Sequence, residues 1–104
     1  YVMAKLEGGA DSSKAMHRME YHIGGYKGGE KVVQKISLHP EKPIVVTEGK
    51  ETIISIETDI NKWWQTIDKI SIVENPICTT PGALAKRIAA NYSNMFAIQS
   101  ISNH

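Results

Sequence analysis

The sequence predicts a mostly β fold: a β-sandwich of short antiparallel strands with one amphipathic helix near the C-terminus. Three observations predict it. Turn signals are dense, from Gly8-Gly9, Gly24-Gly25 and Gly28-Gly29 to Pro40, Pro43, Gly49, Pro76 and Pro81-Gly82. The stretches between them are short and rich in β-branched and aromatic residues, the pattern of several strands at regular spacing. Only one segment, about residues 80–95, changes to a helical period. With 104 residues there is room for a single domain around a single core.

In chain order, strands are predicted near Val2–Glu7, His17–Gly24, Lys31–Leu38, Ile44–Thr47, Thr52–Asp59, Lys69–Val73 and Phe96–Ile101. The fifth has the clearest alternation. Ile54, Ile56, Thr58 and Ile60 share one face and Ser55, Glu57 and Asp59 the other, the pattern of a strand with one face in water. The third is similar, with Val32, Ile36 and Leu38 opposite Lys35 and Ser37. GGYKGGEK lacks the spacing of a phosphate-binding loop and reads as a hairpin connection. Asp59 is placed to cap a short helical turn at residues 61–64. In TTPGALAKRIAANYSNMF, Thr80 is a suitable N-cap and Pro81 a suitable first helical residue. Leu84, Ile88, Tyr92 and Met95 recur on one helical face beside Ala85 and Ala89, with Lys86 and Arg87 pointing away.

Composition narrows the function classes. Twelve Lys and Arg against 11 Asp and Glu leave a net charge of +1, with no basic tract, so counterion-driven nucleic-acid binding is not the default. The lone cysteine, Cys78, cannot form an internal disulfide or a multi-cysteine zinc site, and reads as a small buried hydrophobe. No apolar run is long enough to span a membrane. The chain opens on Tyr1 without a signal peptide, as a mature or trimmed product would.

The stretch AMHRMEYHIGG concentrates soft and borderline metal ligands: His17, His22 and two methionines. On a regular strand His17, Met19 and Tyr21 share one face, and Arg18, Glu20 and His22 the other, so the two histidines do not converge unless a bulge intervenes. His22, at a strand end before Ile23-Gly24-Gly25, is the better-placed ligand, although a lone strand histidine is more often structural. His39 and His104 read as surface residues. Glu57 and Asp59 share a face but read as solvating carboxylates, and no catalytic constellation is inferable. Trp63-Trp64 reads as one core and one rim residue, or as an aromatic platform. Asn91-Tyr92-Ser93 fits a glycosylation sequon, but on a helix.

The order of YVMAKLEG, MEYHIGGY, an alternating strand ending in TDINKWW, and PGALAKRIAANYSNMF resembles the C-terminal half of the MbnP-like family, copper-binding β-sandwich proteins associated with methanobactins. The resemblance runs through nearly the whole chain. It rests most on Lys-Leu-Glu-Gly at 5–8, the Tyr-x-Ile-Gly frame around His22, and Ile-Ala-x-Asn-Tyr-x-x-Met-Phe in the helix. It implies an exported protein (periplasmic, cell-surface, secreted or lipid-anchored), copper as the bound metal, a di-haem protein as a partner, and no catalytic role for this chain. His22 matches the family's His-x-Gly frame and is the implied ligand, with His17 as a weaker companion. Some family members also use a tryptophan oxidised to kynurenine, which maps onto neither Trp63 nor Trp64. Family domains are about twice as long, so residues 1–104 are expected to be part of a larger sandwich, completed by a partner chain or a second copy. The alternative is a metal-free cell-surface or secreted β-sandwich that serves as an interaction module.

Overall fold

The computed structural model describes residues 2–104. Strand β1 (Val2–Gly9) pairs antiparallel with β2 (Arg18–Gly24), and β3 (Thr52–Thr58) follows a long irregular connection. The short β4 (Ile77–Cys78), helix α1 (Ala83–Tyr92) and β5 (Phe96–Asn103) complete the order. One sheet is β1-β2-β4, with β4 parallel to β2; the other is the antiparallel pair β3-β5. The mostly β character and the single helix agree with the expectation.

Alternation in β2 decides where the core lies. Tyr21 and Ile23 are buried, while Arg18 is exposed and Glu20 and His22 keep partial access to water. Tyr21 and Ile23 pack with Val32, Trp63, Ile70 and Cys78, and Ala85, Ile88, Ala89 and Tyr92 of α1 cover them. Tyr21 lies edge-on to Trp64 and Tyr92 packs on Trp63, with ring centroids 6.0 and 4.9 Å apart. Trp63 is core and Trp64 rim: the Trp64 Nε1–H donates to the Tyr21 hydroxyl at 3.1 Å, and that hydroxyl donates to the Asn75 carbonyl at 2.7 Å. Cys78 is buried as expected, and desolvation pushes its thiol pKa up.

Asn91 joins the helix to the irregular segment 63–70. It is fully buried; its amide donates to the Trp63 and Asp68 carbonyls, and its side-chain oxygen accepts from the Asp68 amide and the Thr66 hydroxyl. Every polar group of the side chain is thereby satisfied. The sequon is therefore structural, because its asparagine is closed to a glycan.

Several expected elements differ. Lys31–Leu38, Ile44–Thr47 and Lys69–Val73 form no strands. Their residue types favour extended backbone, but a strand exists only with a neighbour to take its hydrogen bonds. GGYKGGEK consequently joins no hairpin and holds a 3-10 turn at Gly28–Glu30. It leaves β2 through Gly25, at φ +136°, where a Cβ would lie 2.2 Å from the Glu30 carbonyl oxygen. β2 begins at Arg18 rather than His17, because Met16 and His17 take left-handed backbone, at φ 58° and 61°, to close the β1–β2 loop. Helix α1 starts later than expected, after Gly82, with Pro81 outside it. Asp59 does cap the short turn Ile60–Trp63, accepting from the Asn61 amide at 3.1 Å.

The second sheet stands away from this core. β3 and β5 contact each other and, to any comparable degree, no other element. Most of their apolar residues share one face, with Ile54 opposite Ile101, Ile56 opposite Ile98 and Thr58 opposite Phe96, while Ile53 lies on the other. Ile54 and Ile56 remain 46% and 51% exposed, so the expected half-buried strand has water on both faces. The radius of gyration is 17.1 Å, against about 13 Å for a compact chain of this length.

Replacing Asn91 with alanine removes the side-chain partner of three backbone groups at once, the Trp63 and Asp68 carbonyls and the Asp68 amide. A loss of about 3 kcal/mol is expected, read by thermal unfolding as a fall in Tm of roughly 10 °C or more. Arg87→Ala, which breaks only an exposed pair with Asp68, should move Tm far less. Equal Tm for Asn91→Ala and the parent would refute the role of this side chain.

Candidate metal centre

The site lies on the outward face of the β1–β2 pair. The antiparallel register sets Lys5 opposite His22 and Glu7 opposite Glu20. In β1 the alternation that turns Leu6 toward the core turns Lys5 and Glu7 outward. In β2 the burial of Tyr21 and Ile23 does the same for Glu20 and His22. Three potential ligands thus meet across two strands.

Their atoms are close. His22 Nε2 lies 2.5 Å from Glu7 Oε1 and 3.4 Å from Glu20 Oε1. All three donor atoms fall within 4.8 Å of one another, and this is the cluster of metal-ligating side chains found among the described residues. The His22 side chain is about one quarter exposed and that of Glu7 about half, so an ion can reach them from solvent. Two cations flank the group: Lys5 Nζ is 3.4 Å from Glu7 and Arg18 is 3.9 Å from Glu20. Without an ion the five side chains form a cross-strand ladder of opposite charges. With one, the two carboxylates would exchange these partners for the metal.

Electrostatics follow from the geometry. The hydrogen bond from His22 stabilises the ionised form of Glu7, and Lys5 beside it adds to this, so the carboxyl titrates below its ordinary 4.5 despite some opposing desolvation. A group with a lowered native pKa contributes stability above its unfolded value. That contribution is lost as pH falls through the native one.

The structure separates the two candidate histidines. His22 lies in the cluster. His17 sits in the loop turn, exposed, with Nδ1 3.0 Å from the Asp11 carbonyl oxygen, and contributes nothing to the group. Met19, on the opposite face of β2 from His22, packs against the core, and Met16 is 84% exposed on the turn. His39 and His104 are exposed and outside the cluster. Sequence reasoning missed Glu7 and Glu20. The signal was available: a hairpin drawn between residues 2–9 and 18–24 places the two carboxylates opposite each other.

The MbnP family model matches residues 1–80. No curated protein matches the chain, and no solved structure does. No helix among the described residues is long and apolar enough to cross a membrane.

An NMR titration of the Glu7 side-chain carboxyl should give a midpoint below 4.5 in the parent protein. In His22→Ala the midpoint should rise toward that value, because the strongest stabiliser of the carboxylate is gone. An unmoved midpoint would show that the two side chains do not interact in solution.

Proposed function

The chain belongs to the MbnP family, and from that premise we propose that it is an exported protein that binds copper as cargo, for acquisition or delivery, through His22 with Glu7 and Glu20. The observation that carries this reading is the convergence of one imidazole nitrogen and two carboxylates on the face of a single β-hairpin. Family membership supplies the link to a metal, and the donor set bears on its form. One nitrogen with two oxygens suits Cu(II), which accepts tetragonal N,O ligands, better than Cu(I), which favours thiolate and thioether. The methionine thioethers of the 15–25 stretch lie outside the cluster, on the core side or on the loop turn.

In this reading each residue has a definite task. His22 gives up its bond to Glu7 and offers the Nε2 lone pair, which requires a neutral imidazole with its proton on Nδ1. Glu7 and Glu20 offset the charge of the ion. Lys5 and Arg18 hold the two carboxylates in place before the ion arrives and compete with it afterwards, which keeps affinity moderate and favours release. That suits delivery better than permanent storage. We assign the chain no catalytic role and place it in the periplasm, at the cell surface or outside the cell. A metal-free interaction module is the second reading, favoured by the apolar ribbon β3-β5 that no other element covers.

Calorimetric titration with Cu(II), and separately with Cu(I), distinguishes them. One Cu(II) per chain is expected, with weaker Cu(I) binding. His22→Ala should lose at least the roughly 10–100-fold that removal of a mere supporting group costs. Glu7→Gln and Glu20→Gln should each lose less, and His17→Ala should match the parent. Binding should weaken as pH falls through the imidazole range. Absent binding, or affinity unchanged in His22→Ala, would leave the interaction module.

A further inference from the structure

The ribbon β3-β5 is a two-stranded sheet on which no other strand or helix of the described residues packs extensively, and a two-stranded sheet is marginal by itself in water. Its two outer edges differ. Segment 37–43 runs beside β5, with a groove of about 750 Å³ between them, and β5 is bulged at Gln99, where Ser55 pairs with Ser100 but Ile56 with Ile98. β3 is regular over seven residues, free of proline and lysine, and carries one charge, Glu57. Apart from that single charge it has none of the devices that protect an edge strand from pairing.

We propose that β3 is the contact through which two copies of this chain associate, edge to edge and antiparallel about a two-fold axis at Ser55. The strand is self-complementary in that register. Ser55 meets Ser55 of the second copy, Ile54 meets Ile56, Thr52 meets Thr58, and Glu57 meets Ile53 rather than a like charge. Glu51 and Asp59 come opposite each other only beyond the strand ends. A four-stranded sheet results, in which both isoleucine rows lie on one continuous face. The isoleucines of the strand are open to such a contact, with Ile53, Ile54 and Ile56 39%, 46% and 51% exposed. A net charge of +1 opposes association little.

The test combines light scattering after gel filtration with three variants of the full 104-residue chain. The parent should be dimeric at high micromolar concentration, with slowed hydrogen exchange in β3 that depends on concentration. Ser55→Cys should form a disulfide-linked dimer under mild oxidation, since the residue meets its own copy at the axis. Paired Ile54→Lys and Ile56→Lys set lysine opposite lysine and should raise the dimer Kd at least about tenfold, whereas paired Ile54→Lys and Ile56→Glu should restore it. Both residues are half exposed, so the monomer should tolerate the changes. A monomer at every concentration, with freely exchanging β3 amides, overturns the proposal and leaves the edge to a different strand donor. A dimer that ignores the lysine pair and gives no Ser55→Cys crosslink also overturns it, since it forms through another surface.

Discussion

The arrangement depends on a single constraint, the burial of Tyr21 and Ile23 in β2. These side chains sit at the centre of the core, against Trp63 and beneath the helix, and their position fixes the face of every other residue in the strand. A slip of one residue would send Tyr21 into water and His22 into hydrocarbon. The outward cluster of His22, Glu20 and Glu7 is therefore a consequence of core packing. The Tyr21 hydroxyl reinforces the register from the far side of the sheet, donating to Asn75 just ahead of β4. The parallel contact of β4 then closes the opposite edge of β2 from β1.

Much of this was legible in the sequence, for identifiable reasons. Alternation about Tyr21 and Ile23, helical spacing from Leu84 to Tyr92, and the cap at Asp59 are local signals whose partners lie within a few residues. Lys31–Leu38 carries the same alternation and Ile44–Thr47 is rich in β-branched residues, and yet both remain unpaired as strands, because pairing depends on a neighbour that neither signal specifies. The two-residue β4 was missed for the opposite reason: Ile77–Cys78 is too short to show a period. At the site, His22 stood out as a residue type at a strand end. Glu7 and Glu20 did not, because their significance arises only when two strands are placed in register.

The protein divides into a packed half and an exposed half. β1, β2, β4 and α1 share a core and hold the His22, Glu7 and Glu20 cluster, while β3 and β5 project, with Ile53, Ile54 and Ile56 exposed and Ile98 and Ile101 partly buried. Association through β3 would leave the β1–β2 face free, so the proposed metal capture and pairing of chains would use separate surfaces. The ladder from Lys5 to Arg18 has a comparable economy, since the charges that order the carboxylates would also moderate their hold on an ion.

The most direct measurement is paramagnetic line broadening by substoichiometric Cu(II) in the proton–nitrogen and side-chain NMR spectra. Broadening should start at His22 and its cross-strand neighbours Lys5, Glu7 and Glu20, with the imidazoles of His17, His39 and His104 affected later or not at all. Broadening that begins at His104, His39 or the chain's first residues, with His22 still sharp, would contradict the assignment of the β1–β2 face as the metal centre.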